Sequence, residues 1–159
     1  MSNYFINNRQ LVPQLAINTG TTQNPVYSNL CCASEITLNA DLETQDFYTF
    51  CDALKRYVTT GSEVGFTTTI KLDIQNVAVK ELLSKVHALI KNGTVAQFTN
   101  VAIEFQLLSG LEDSTLVYTT YTATANLAVS DLGGSAEDVS EFNLELKLNG
   151  TATEVSASM

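Results

Sequence analysis

Side chains able to do chemistry are few in this 159-residue chain, and their spacing suits no reaction. The single histidine, His87, falls on a helical stretch beside an apolar stripe. A hydrolase triad needs a base held between a nucleophile and an acid, and a zinc site needs several nitrogen or sulfur ligands. No second histidine and no suitable cysteine stands near His87 in sequence, so its expected role is to pack its ring at a core boundary. Asp41, Glu43 and Asp46 form a carboxylate cluster of the kind used in glycoside hydrolysis or calcium binding. No EF-hand spacing accompanies them, and the alternation around them reads as a solvated strand face and its exit loop. Gly133-Gly134 is not a phosphate loop, because no Gly-Lys-Ser/Thr follows it. Asn92-Gly93-Thr94 and Asn149-Gly150-Thr151 spell glycosylation sequons but suit turns better. The expectation is a protein that is not an enzyme, with no catalytic residue, metal site or cofactor.

The elements that carry these residues are mainly β. Residues 35–43 alternate, with Ile36, Leu38, Ala40 and Leu42 on one side and Glu35, Thr37, Asn39, Asp41 and Glu43 on the other. The same period recurs in 66–74, 101–107, 115–129 and 142–149. Between the second and third of these lies one amphipathic helix, about 77–91, with its core face expected at Val79, Leu82, Leu83, Val86 and Ile90. Asn76 suits its N-cap and Gly93 its left-handed terminus, while Lys85 and Lys91 suit the negative end of the helix dipole. Residues 11–17 read as a short strand kept at an edge by Pro13. Residues 18–29 read as a long loop, 59–62 and 110–114 as turns, 130–140 as an acidic loop and 151–159 as a polar tail. Residues 44–57 suit a short helix or an irregular extended loop equally on pattern.

Composition sets the frame for these elements. One domain spanning 1–159 is expected, large enough to bury a core without disulfides or metals. Seventeen acidic residues face eight basic ones, giving a formal charge of −9. Such a chain repels phosphate and does not suit a DNA-binding module. The three cysteines, Cys31, Cys32 and Cys51, are odd in number and two are adjacent, which suits free thiols in a reducing compartment. No signal peptide or membrane-spanning run is visible, and synthesis and folding in cytoplasm are expected.

In order and character the elements resemble the major tail tube proteins of long-tailed bacteriophages. One stretch that carries the resemblance is the acidic strand running into Glu43-Thr44-Gln45-Asp46-Phe47-Tyr48-Thr49-Phe50-Cys51-Asp52, then Arg56-Tyr57-Val58. Another is Asp73-Ile74-Gln75-Asn76 followed by the Leu82-Leu83 helix ending in Lys91-Asn92-Gly93. The last is Tyr121-Thr122-Ala123-Thr124-Ala125-Asn126, an acidic loop, Asp138-Val139, and a final strand from Phe142 to Gly150. The resemblance covers about residues 30–150. It implies a β-sandwich or partial barrel of two antiparallel sheets flanked by one helix. It implies a structural subunit whose rings of six join their inner sheets into one barrel and stack into a tube that conducts the genome. The partners implied are further copies of the chain, tape measure, initiator or baseplate, and terminator proteins, in a virion tail assembled in the host cytoplasm. DNA would pass without specific binding, and no membrane is involved. On that reading the polar faces of strands 35–43, 66–74, 115–129 and 142–149 line the channel with Glu35, Asn39, Asp41, Thr69, Asp73, Thr122, Thr124, Asn143 and Glu145. A cytoplasmic β-sandwich binding module for a peptide or carbohydrate is the alternative, weakened by the absence of tryptophan.

Overall fold

The structure is a computed structural model that describes residues 4–30, 33–47 and 56–155. A one-turn helix α1 (Asn8–Leu11) comes first, closed by a capping box between Asn7 and Gln10. Strands β1 (Gln14–Asn18), β2 (Tyr27–Asn29), β3 (Ala33–Phe47) and β4 (Arg56–Lys71) follow. The long helix α2 (Val77–Asn92) and a 3₁₀ turn (Ala96–Phe98) precede β5 (Val101–Glu112), β6 (Thr115–Gly133), β7 (Glu141–Leu148) and the short β8 (Thr153–Glu154). The positions of Cys31, Cys32 and Cys51, and the connection 48–55, lie outside the described residues.

The strands form one antiparallel sheet in the order β2-β1-β5-β6-β7-β4-β3, with β8 added to β6. The sandwich or partial barrel expected from the resemblance is therefore one continuous, unclosed sheet that curls over its own apolar face. Alternation drives this arrangement. In β7, Phe142, Leu144 and Leu146 are buried while Glu145 and Lys147 between and beside them are exposed. Phe66 and Ile70 of β4, Ile103 and Phe105 of β5, Ala125 and Leu127 of β6 and Leu15 and Ile17 of β1 join them in one core.

Helix α2 covers this core. Asn76 caps it by accepting the N–H of Val79 at 3.1 Å, and Gly93 ends it at φ 64°, donating its N–H to the Leu89 carbonyl. Ala78, Val79 and Leu82 are fully buried, and Leu83 packs against the core partly exposed. Val86 lies half-buried at the helix–sheet junction. Ile90, expected on the core face, is 75% exposed and outside the core cluster. The stripe predicted from periodicity outlasts the underlying core by about one turn. Lys85 is 7% exposed, and its Nζ donates to the Gln97 carbonyl at 3.0 Å, tying the helix to the 3₁₀ turn. Sequence reading gave it only a role toward the helix dipole. His87 is exposed rather than packed.

Several boundaries differ from expectation for identifiable reasons. Strand β1 is paired on both sides, with β2 and with β5, so it is no edge. Pro13 precedes the strand, where its missing N–H removes no ladder bond. The predicted loop 18–29 contains β2, and the Asn18 Oδ1 closes the connection by accepting from Gly20 and Val26. Residues 44–47 and 56–57 are neither helix nor irregular loop but the ends of β3 and β4. The predicted turn at 59–62 is a bulge within β4, where the pairing steps from Glu43↔Gly61 to Thr44↔Thr59. β5 and β6 meet in a two-residue turn at Asp113-Ser114, both at positive φ. β6 runs to Gly133, four residues into the predicted acidic loop, and Thr153–Glu154 of the predicted tail pairs with Tyr121 and Thr122.

Candidate functional site: the polar face of the sheet

Side chains of directly paired strand residues share a face, so the register fixes which residues sit together. Glu35 lies opposite Thr69, Thr69 opposite Asn143, and Asn143 opposite Ser130. One row along, Thr37, Thr67, Glu145 and Ala128 align, and the next holds Asn39, Gly65, Lys147 and Asn126. Asp41 lies opposite Glu63. On β6 the same parity takes in Thr124 and Thr122, which face Ala102 and Glu104 of β5. Four strands expected to act together, now β3, β4, β7 and β6, are thus contiguous in the sheet and present one polar face.

Eight of the nine residues predicted for such a face lie on it: Glu35, Asn39, Asp41, Thr69, Thr122, Thr124, Asn143 and Glu145. Asp73 does not. Strand β4 ends at Lys71, and the Asp73 Oδ1 accepts the N–H of Gln75 at 3.0 Å, building the turn into α2. A short polar side chain offering its own backbone a partner ends a ladder in this way. Glu104 and Gln106 of β5 extend the face beyond the predicted strands. Their alternation with Ile103 and Phe105 carried the signal, but the neighbour that β5 takes does not follow from periodicity.

A lattice of hydrogen bonds holds the face. The Asn39 Nδ2 donates to Thr67 Oγ1 at 3.2 Å, and the Thr69 hydroxyl donates to Asn143 Oδ1 at 3.0 Å. Asn143 passes the chain on by donating to Asp131 Oδ2 at 2.9 Å. Lys71 lies 2.6 Å from Glu141. Lys147 sits 3.4 Å from Glu63 and 3.6 Å from Glu145. These carboxylates hold the Lys147 proton more tightly than usual, Glu63 first. At the edge beyond β5, Tyr27 is pushed above the ordinary tyrosine pKa, by burial first and by Glu104 second.

Gly65 makes a dimple at the centre. A Cβ there would stand 2.4 Å from the Leu146 carbonyl oxygen, so only glycine admits this strand approach. The dimple is shallow, about 90 Å³, and lined by Asn39, Asp41, Glu63 and Lys147. Among the described residues no group of three or more His, Cys, Asp or Glu is placed to hold a metal ion. No helix among them is long and apolar enough to cross a membrane. The face offers hydrogen bonding and negative charge along a broad surface.

No protein-family model matches the chain, and no curated protein matches it. Solved structures do. A chain from the tail of an empty gene transfer agent particle, refined with C6 symmetry, aligns over 96% of this chain and all of its own, with TM-score 0.59 and 10% identity. A chain of an extracellular contractile injection system sheath–tube complex aligns over 89% of this chain and 88% of its own, with TM-score 0.52 and 11% identity. An anti-feeding prophage baseplate, sixfold symmetrised, supplies a chain matching over the full length of both, with TM-score 0.50 and 16% identity. The chain has a phage tail tube-like fold.

Proposed function

We propose that this chain is the structural subunit of a bacteriophage tail tube. Six copies form a ring, rings stack into a hollow tube, and the polar face of β3, β4, β7 and β6 lines the channel that conducts the genome. The observation that carries this reading is a sheet open at both edges with one continuous polar, acidic face. Open strand edges need partners, and ring closure supplies them. The hairpin of β3 and β4 adds to this need. Among the described residues only Gly65–Lys71 of β4 pairs with β7, so Asp41–Phe47 and Arg56–Glu63 continue beyond the body as a two-stranded ribbon. Leu42 and Tyr57 on it are 69% and 68% exposed, and such a ribbon is marginal in water without further packing. Ring-on-ring stacking joins unlike surfaces and extends into a filament.

The sixfold symmetry of two of the similar assemblies supports the ring size. Tape measure, initiator or baseplate and terminator proteins are the further partners of this reading, and the virion tail its location. Concentrating the purified protein and following light scattering and negative-stain microscopy tests it. Rings and hollow tubes are expected, with or without a seeding initiator complex. A chain that stays monomeric at high concentration and with seeds overturns the reading.

A further inference from the structure

Two cations stand on the polar face among the described lysines, and both are engaged by carboxylates from that same face. Lys71 of β4 bridges to Glu141 of β7. Lys147 of β7 bridges across to Glu63 of β4 and along its own strand to Glu145. Both side chains reach solvent, at 51% and 57% exposure, so burial does not keep phosphate from them. Exposed pairs of this kind add little to stability. Their consequence for a passing polyanion is larger. Each lysine that meets a phosphate steepens the salt dependence of binding by nearly one ion, and a sixfold ring repeats every lysine six times.

We infer that Glu63 and Glu145, with Glu141, are clamps that withhold the face's lysines from phosphate, so that a nucleic acid polyanion slides past without being held. The role as a channel rests on the tube reading. The clamp itself is a property of the folded chain. Two carboxylates against one ammonium leave the Lys147 group at net −1, while Lys71 with Glu141 is neutral. Glu35 and Asp41 on β3 share the face and add negative charge around the lysines. Both cations thus join β4 to β7, and neither lysine stands on the face as an uncompensated positive charge. The raised proton affinity of Lys147, set mainly by Glu63, agrees with this geometry.

The test uses the dispersed full chain and tripolyphosphate as probe, at low ionic strength where surface charge is least screened. NMR of the Lys147 Cε group reads binding at that side chain, with the exposed helix residue Lys80 as internal reference. In the wild-type chain Lys147 responds more weakly than Lys80. In E63Q/E145Q its affinity rises by about fivefold or more, since removing even one of these two unit charges about 4 Å away in water is worth about that much. E63Q/E145Q/K147Q loses tighter binding at this face. Amide spectra establish that each variant is folded, and E63Q alone gives a smaller rise in the same direction if the double variant is not. Equal affinity of Lys147 for tripolyphosphate in the wild-type and E63Q/E145Q chains overturns the inference. A failure to form tubes is seen separately by microscopy and leaves this measurement decisive for the clamp.

Discussion

The rings of Phe66 and Phe105 meet edge to face with centroids 4.8 Å apart, although β7 and β6 lie between their strands in the sheet. In a flat sheet, strands three places apart are separated by about 14 Å. The contact therefore measures the curl of the sheet. Tyr121, the direct cross-strand partner of Phe105, packs beside this contact with its ring 5.4 Å from that of Phe105. Curling turns the apolar face inward around Phe66, Phe105, Leu144 and Leu146 and leaves the polar face on the other side.

Phe66 is 1% exposed, so Phe66→Ala should lower stability by about 3–5 kcal/mol, the usual result of truncating a core aromatic. Urea denaturation measures it. A loss below about 0.5 kcal/mol, typical of surface positions, would show that the two rings do not share a core.

The helix gives a graded prediction along one face. Leu82→Ala should cost about 2–5 kcal/mol, since Leu82 is 1% exposed. Leu83→Ala should cost less, because Leu83 packs on the core only partly buried. Ile90→Ala should stay within about 0.5 kcal/mol in the isolated chain. A cost at Ile90 equal to that at Leu82 would mean that the core reaches the last helical turn.

Alkaline titration gives a third. Burial and Glu104 favour the neutral form of Tyr27, raising its pKa above the ordinary 10.0. A group that binds its proton more tightly when folded contributes stability fully below its unfolded pKa, and that contribution is lost as pH rises through the folded value. Ultraviolet titration should show Tyr27 ionising after an ordinary tyrosine, and Tyr27→Phe should flatten the fall of stability above about pH 10. An unchanged profile in Tyr27→Phe contradicts the assignment.

Much of this fold is legible in the chain because alternation is a local signal. Phe142, Leu144 and Leu146 against Asn143, Glu145 and Lys147 specify a half-buried strand without reference to any neighbour. Asn76 and Gly93 bracket the helix by cap chemistry that is equally local. What periodicity does not carry is the order of strands, since pairing joins residues far apart in sequence. The place of Glu104 on the polar face, beside Thr122, depends on β5 pairing with β6. Where local signals compete, the tertiary context decides. The Thr-Thr-Gly-Ser run at 59–62 carries turn chemistry, yet it becomes a bulge because β3 continues opposite it. Lys85 is buried with its ammonium 3.6 Å from Glu81, an i,i+4 partner, and bonded to the Gln97 carbonyl of the following turn; helical spacing announces the first partner but not the second.

The channel assignment predicts a charge-reversal phenotype. Asp41 and Glu145 line the same central dimple. Replacing both by lysine should leave tube assembly largely intact and slow DNA passage, because each ring would gain attraction for phosphate in place of repulsion. Loss of assembly with no effect on passage in the tubes that remain would instead place these residues at contacts between copies.

The most direct measurement is a cryo-electron microscopy reconstruction of assembled tubes. The account predicts six copies per ring, helix α2 on the outer wall, and Glu35, Asn39, Asp41, Thr69, Thr122, Thr124, Asn143 and Glu145 pointing into the channel. Finding these side chains on the outer wall or at the seams between rings would contradict it, even with the fold of each copy unchanged.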